Sequence, residues 1–578
     1  MHPVVKAQML KFKDTNPIAG LGDDAYFELY TIFSLLNGRR NDNIDPFKVH
    51  LEGTEFGIDG CAITIQGTLA IDSDSATEAM MDYRDGRITF TFLQAKRSES
   101  YDYGDMSKFF DAVYGFFSGD MEGESDQLDD LIGAKDVIFS SALRKNPELI
   151  CFFASTGKYE PVDRIEKLKA ATISRLEDLS LFDRIDIEIV GAKELQGAYR
   201  GATSANLKEI AFSQNKTMPG HPKVDQAFIG FIDAKELLSL ATNTPDDDGD
   251  VTVNQSVFFD NIRDFDPNSS INQKIVSELK EGDRQGFVFR NNGVTVVAKH
   301  INRTGDNFRV EDYQIVNGCQ TSNILFEARD HIDGVSVPLR LIGSSNDEFI
   351  TSIIIGTNSQ NQVKDEQFWA LKPFMKDLEE YFFQQQDDLK LYLERRENQY
   401  RNESVERTRI VKPSDLMKAV AAMYLFQPHR AARDFRGIRA EFSNKLFIEG
   451  HSVIAYHTAA YASYRFDYLV RNKKLSRKAN IHKFYVLSSM GRRETGSVDI
   501  FELKSNKAHA ICDTILRLCS DEADMIQFCQ GISERVDALL ESRLGAAVES
   551  SAREKIRDAL RSETFATDFE KVVRAQTS

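Results

Sequence analysis

The chain has 578 residues, 42% of them apolar and 28% charged, so it can bury more than one core without a disulfide or metal staple. Its 40 Phe and 18 Tyr exclude disorder of the whole chain, and the composition excludes collagen-like, coiled-coil and mucin-like proteins. Lys plus Arg number 72 against 89 Asp plus Glu, and a formal charge of −17 argues against coating nucleic acid through bulk charge, though not against a local basic groove.

In chain order, the first segment reads as mixed α/β. Asp23 or Asp24 caps a helix continuing to Leu36, and strand-like runs follow at Cys61–Ile65 and Ile88–Lys96. A helix fits Met106–Phe117, a buried strand Leu149–Phe153, a helix Val162–Glu177 and a strand Ile185–Val190. Two acidic, Gly-containing stretches, Gly119–Asp130 and Pro245–Asp250, read as surface loops, the second as a domain boundary. Beyond it, Phe287–Phe289 and Val294–Ala298 read as strands around the turn Arg290-Asn291-Asn292-Gly293. Strands at Tyr313–Val316 and Val337–Ile342 alternate with helices at Ser322–Arg329, Asp347–Ile355 and Asp365–Phe383. The last segment reads as mostly helical, ending in the charged helix Ser551–Arg561 and a polar tail. The expected division is 1–205, 220–425 and 426–578.

Six cysteines stand too far apart for a CxxC site or a disulfide framework. The first residues carry no apolar signal core and no run is long enough to span a membrane, so a cytoplasmic protein is expected. His451 and His457 lack metal-like partners and read as ordinary polar or core residues.

The sharpest chemical signal lies in the first segment. In a strand over Ile88–Lys96, alternation puts Gln94 and Lys96 on the face of Phe90 and Phe92, so a polar pair ends an apolar face. Asp59 stands between glycines in Phe56-Gly57-Ile58-Asp59-Gly60, just before a strand. Glu28 shares a helical stripe with Ala25, Ile32 and Leu35, and a buried carboxylate there needs a cation or shifts its pKa upward.

A helix carboxylate, an Asp at a strand start and Gln-x-Lys on the next strand together resemble the PD-(D/E)xK nuclease superfamily, in the Gln-x-Lys variant of Mrr-like restriction endonucleases. Ile58 stands where the family's name has proline, and Gln94 where it has an acid. The resemblance implies a restriction-endonuclease-like αβ core and hydrolysis of phosphodiester bonds. Asp59, Gln94 and Glu28 would hold Mg²⁺, or Mn²⁺ in its place, and Lys96 would orient the attacking water. Phosphodiester cleavage needs such cationic stabilisation and an activated water, and Mg²⁺ prefers oxygen ligands.

Farther on, Arg290-Asn291-Asn292-Gly293 and Val316-Asn317-Gly318-Cys319-Gln320-Thr321 resemble the AIPR (abortive infection phage resistance) proteins, as do Phe258–Phe265, Ser270–Asn272 and Thr357–Gln362. That resemblance implies a central α/β AIPR region with a mostly helical C-terminal part, and a role in antiphage defence, with no catalytic residues to carry over. Asn292, Asn317 and Gln320 are candidate nucleic-acid contacts, with Arg97 after the nuclease-like strand and Arg395 and Arg396 in a donor-rich run. Basic residues interleaved with aromatics, among them Arg471, Lys473 and Lys474, suggest a nucleic-acid track, a solvated face being the plain alternative.

The expected molecule is an α/β multidomain, Mg²⁺-dependent endonuclease of abortive infection, acting on nucleic acid, DNA ahead of RNA. A homodimer is expected, with a phage-derived trigger or a neighbouring defence protein as regulator and no membrane. The rivals are a ribonuclease toxin and a non-catalytic sensor or scaffold with a relic nuclease fold.

Overall fold

The computed structural model describes residues 1–578 apart from 41–42, 53–56, 84–85, 120, 122–124, 204–205, 243–250, 252, 255–256, 259–269, 359–371, 396–398, 401–402, 433, 443–444, 497, 504, 546–552 and 575–578. It is a mixed α/β multidomain protein with a helical C-terminal region. The loop read at Pro245–Asp250 lies outside the described residues, as do Arg396 and most of the 357–362 string.

The first body is built on a five-stranded sheet. Its elements are α1 (Pro3–Thr15), α2 (Asp23–Phe33), α3 (Pro46–Val49), β1 (Gly60–Ile65), β2 (Thr68–Ala70), α4 (Ser73–Asp82), β3 (Ile88–Lys96), α5 (Tyr103–Ser118), α6 (Asp126–Ser140), β4 (Glu148–Ser155), α7 (Asp163–Glu177), β5 (Arg184–Val190) and α8 (Ala192–Thr203). Strand order is β2-β1-β3-β4-β5; β1 runs antiparallel to β2 and β3, while β3, β4 and β5 run parallel. Alternation sorts β3 onto two cores. Phe90 and Phe92 pack with Phe109 and Phe116 of α5 and Leu128 of α6. Leu93 and Ala95 pack with Phe27, Leu29 and Ile32 of α2 and with α1 and α8.

Four of the five strands fall where the sequence reading puts them, the short edge strand β2 was not expected, and the helices depart in instructive ways. Gly22, not an aspartate, is the N-cap of α2, and both Asp23 and Asp24 lie in its first turn, where they complement the helix dipole. Beyond Phe33 the helix widens into a π-turn over Ser34–Arg39. A Cβ on Gly38 would stand 1.8 Å from the Ala198 carbonyl oxygen of α8, so the widened turn lets two backbones touch there. The acidic loop expected at Gly119–Asp130 is overturned in its second half: Ser125 accepts the Leu128 N–H and starts α6. The element α4 was not legible, because Asp72 and Ser75 make a reciprocal capping box out of residues that read as loop.

The second body is a six-stranded sheet of β6 (Leu207–Ala211), β7 (Gln214–Thr217), β8 (Gln226–Asp233), β9 (Val294–Thr304), β10 (Asn307–Asn317) and β11 (Ser336–Gly343), in the order β6-β10-β9-β11-β8-β7. The strand expected at Phe287–Phe289 is instead a single helical turn, Phe287–Arg290. Strand residues two apart share a face, yet Phe287 is buried and Phe289 is 89% exposed. Hydrogen bonds from Phe287 N–H to Arg284 O and from Phe289 N–H to Gly286 O close the turn. The hairpin reading therefore fails on its first arm, and β9 begins directly after Gly293, which takes φ +84°.

Among the described residues from Pro373 onward, the regular structure is helical apart from the short strands Tyr392–Leu393 and Ile410–Val411. Phe374, Leu378 and Phe382 join one core with helices Pro413–Met423, Val453–Arg471, Lys483–Thr495, Ser505–Ser520 and Glu522–Leu544. The expected polar tail is a helix, Glu563–Arg574, whose Phe565 and Phe569 cover Tyr485. The six cysteines are all buried, and none is in a disulfide. Among the described residues no helix is long and apolar enough to cross a membrane.

His457 is the titratable heart of the helical core. It is fully buried, Nε2 lies 2.9 Å from the Leu389 carbonyl oxygen, Nδ1 has no partner, and its ring lies edge-on to Phe382. Burial holds its pKa down to about 4, against a smaller upward pull from the Leu389 carbonyl. The unfolded imidazole takes its proton near pH 6.5, so the stability from a neutral buried ring is complete above that pH and is lost as pH falls through about 4. Urea unfolding at pH 7 and pH 4.5 should differ by up to about 2 kcal/mol more for the native chain than for His457→Gln. Equal pH slopes would show that the ring is not held neutral.

Candidate functional site

The site forms at the carboxyl end of β3, where the sheet stops and both faces meet. Gly60 pairs with Leu93, so Asp59 stands at the mouth of β1 beside Gln94. Its backbone N–H donates to Leu93 O at 2.9 Å, and its Oδ2 accepts the Ala95 N–H at 2.7 Å. The flanking glycines are steric requirements. A Cβ on Gly57 (φ +78°) would sit 2.7 Å from Gln94 Nε2, and one on Gly60 would sit 2.8 Å from Ile32 Cδ1. Ile32 thereby rests on Asp59's strand, and Glu28, one turn earlier on the same face of α2, is brought to the Asp59 carboxylate.

The electrostatics register this convergence. Burial first and then the Glu28 charge push the Asp59 carboxyl up to about 7, against the downward pull of the Ala95 N–H, Lys96 and His50. Gln94 is 1% exposed and its Oε1 has no hydrogen-bond partner. A buried amide oxygen left bare at the strand end is a costly arrangement for a folded chain and a useful one for a cation. Lys96 lies 3.2 Å from Asp105 at the start of α5, and both side chains are partly exposed. Thus Glu28 and Lys96 lie within electrostatic reach of Asp59, and Gln94 follows Leu93, the strand partner of Gly60.

One member of the cluster was not legible in the sequence. His50 is buried, its Nε2 lies 2.7 Å from Glu28 Oε2, and it forms a β-bridge opposite Gly60. A lone histidine ahead of a strand carries no spacing signal, so only the folded geometry reveals it. Among the described residues no group of three His, Cys, Asp or Glu side chains is arranged to hold a metal ion. A cation here would rest on two carboxylates and the Gln94 amide oxygen. That donor set is all oxygen and suits a hard divalent ion such as Mg²⁺.

The other candidates fall into four groups. Asn292, Asn317 and Gln320 gather at one end of the second sheet. Asn291 Nδ2 donates to Thr321 Oγ1 at 2.9 Å, and Gly318 (φ +113°) lets its string approach Val294, whose side chain a Cβ there would meet at 2.5 Å. Asn292 and Gln320 are exposed and Asn317 half-buried. Arg97 pairs with Asp24 at 2.6 Å.

Arg395 is a correction: it is buried and paired with Glu379 at 2.8 Å, so it holds the chain after Tyr392–Leu393 instead of facing a nucleic acid. The basic stretch finds partners within the protein while Lys473 and Lys474 stay largely exposed. Arg471 lies over the Phe47 ring, Lys473 pairs with Glu52 at 2.8 Å and Lys474 with Glu522 at 3.1 Å. These carboxylates are remote in sequence, which is why the run looks free when read alone.

Neither the curated proteins nor the solved structures gave a significant match. Residues 258–528 match the family model described as AIPR protein, so over that span, which holds the Asn292 and Gln320 strings and most of the helical core, the chain is similar to the AIPR proteins.

Proposed function

We propose that the protein is a divalent-metal-dependent nuclease of antiphage defence, with its active site at Glu28, Asp59, Gln94 and Lys96. The observation that carries this reading is the bare, buried Gln94 Oε1 at the strand end where Asp59 stands, with the Glu28 charge raising the Asp59 carboxyl. A Mg²⁺ ion held by Asp59, Gln94 and Glu28 would supply charge stabilisation for an attacked phosphodiester. Lys96, partly exposed and within electrostatic reach of Asp59, is suited to orient a water and offset charge on the phosphate. The strand order and polarity of the first sheet fit the nuclease resemblance, and ligands of open α/β sheets bind outside the carboxyl ends of strands. The AIPR similarity over 258–528 supports the defence setting and a regulatory part for that span. DNA is the preferred substrate, and Asn292, Asn317 and Gln320 offer amides for base or sugar contacts. The protein would act as a homodimer, one site for each strand of a duplex, in the cytoplasm.

The test is cleavage of plasmid and of RNA with and without Mg²⁺. The expected result is divalent-dependent cleavage that Lys96→Ala lowers by about 10²-fold or more while its unfolding midpoint stays in place. Full activity in Lys96→Ala removes the assignment. RNA cut ahead of DNA favours a ribonuclease toxin.

A further inference from the structure

The segment that carries Asp59 is gripped from outside its own body. Leu51 N–H donates to Asp59 O at 3.0 Å, and His50 reaches Glu28, so residues 50 and 51 brace both carboxylates of the site. His50's own carbonyl accepts from Gln127 Nε2 of α6 at 2.8 Å. Gln127 Oε1 in turn accepts from Arg477 Nη1. One residue past Leu51, Glu52 pairs with Lys473 at 2.8 Å. Lys473 and Arg477 lie on the turn leaving helix Val453–Arg471, where Lys473 takes φ +58°, inside the span similar to the AIPR proteins. Burial works against the Arg477 charge, and the Glu52 and Asp130 carboxylates that face it favour that charge.

We propose that Lys473 and Arg477 are positioning residues for the Glu28–Asp59 site, acting through Glu52 and through Gln127 and His50. This deepens the nuclease reading and rests on it for its functional consequence. The helical region then holds the carboxylates in register only while its 473–477 turn is docked, and withdrawing the turn loosens the site. The Lys473–Glu52 pair, with the lysine largely exposed, is weak alone. One direct contact onto Glu52 and one relayed through Gln127 to His50 act together, and a site displaced by about 1 Å loses much of its rate.

The experiment is hydrogen–deuterium exchange on the full chain, read at peptides holding Leu51 and Ala95, whose N–H groups bond to Asp59. In Lys473→Ala/Arg477→Ala these peptides should exchange roughly threefold to tenfold faster, with β4 peptides unchanged. Divalent-dependent kcat should fall with KM held. The swap Lys473→Glu/Glu52→Lys and the conservative Arg477→Lys should return exchange toward the native rate. Unchanged exchange at Leu51 and Ala95, or acceleration spread evenly over the sheet, overturns the proposal. If exchange rises as expected but the native protein cleaves nothing, the nuclease reading falls and the positioning role stands.

Discussion

Asp59→Asn is expected to abolish divalent-dependent cleavage and, in the absence of metal, to stabilise the fold at neutral pH. The two effects share a cause. Burial and the Glu28 charge raise the Asp59 carboxyl to about 7, with the Ala95 N–H and Lys96 opposing. An unfolded aspartate releases its proton near pH 3.9. The folded, metal-free chain therefore holds the proton longer than the unfolded one, and the associated stability is complete below about pH 4 and lost as pH rises through about 7. Holding that proton across the whole window would be worth about 4 kcal/mol, which partial solvent access at Asp59 reduces to roughly 2 kcal/mol. Asparagine has no proton to lose, so its stability should be flat across that window and exceed the native value at pH 7.5 without metal. A divalent ion reverses the comparison, since it gains most from the ionised carboxylate. Binding of Mn²⁺ to the native chain should weaken about tenfold for each pH unit below 7, as the proton competes for Asp59. Asp59→Asn should bind it weakly at every pH and cut at least about 10³-fold more slowly. Urea unfolding from pH 5 to 8, with and without Mn²⁺, reads both arms. Parallel stability profiles for the two proteins would show that Asp59 is a solvated loop residue and would remove the site's electrostatic basis.

What the sequence disclosed and what it hid follow one physical line. Local periodicity was readable. Alternation at Ile88–Lys96 placed Phe90 and Phe92 on one core and Leu93 and Ala95 on the other, and the strand end carried Gln94 and Lys96 with it. Glycine spacing around Asp59 was also readable, because Gly57 and Gly60 answer to close approaches. Contacts set by the fold at long range were not. His50 meets Glu28 across 22 residues, and Lys473 meets Glu52 across more than 400, so neither leaves a pattern in its own neighbourhood. Arg395 resembles a grip for phosphate only while its partner Glu379 is out of view. The helical turn at Phe287–Phe289 shows the reverse error, in which aromatic content outweighs the missing alternation.

The same long-range pairing predicts a large loss on removing Arg561. On α4, Asp74, Glu78 and Asp82 recur every four residues and form one acidic stripe. Each faces a cation of the helical region: Arg561 at Asp74, Lys418 at Glu78 at 2.8 Å, and Arg439 at Asp82 at 3.9 Å. Arg557 adds a bond to Ser73 at 2.9 Å and a pair with Asp130. The Arg561–Asp74 pair is the most enclosed of the three stripe pairs, with side chains 12% and 14% exposed. Burial raises the Asp74 carboxyl against the pull of Arg561. Arg561→Ala would leave Asp74 enclosed without its cation, a change that costs about 3–5 kcal/mol in buried pairs. The expected result at pH 7.5 is a drop of about 3 kcal/mol in unfolding free energy. The drop should shrink toward pH 5, because Asp74 then takes up a proton more readily than it does beside Arg561. Replacing both partners, Arg561→Leu with Asp74→Leu, should recover most of the loss, since an apolar pair needs no compensation. A single variant within about 0.5 kcal/mol of the native chain would mean that water already screens this interface, and the stripe would then contribute little to holding the helical region on the first body.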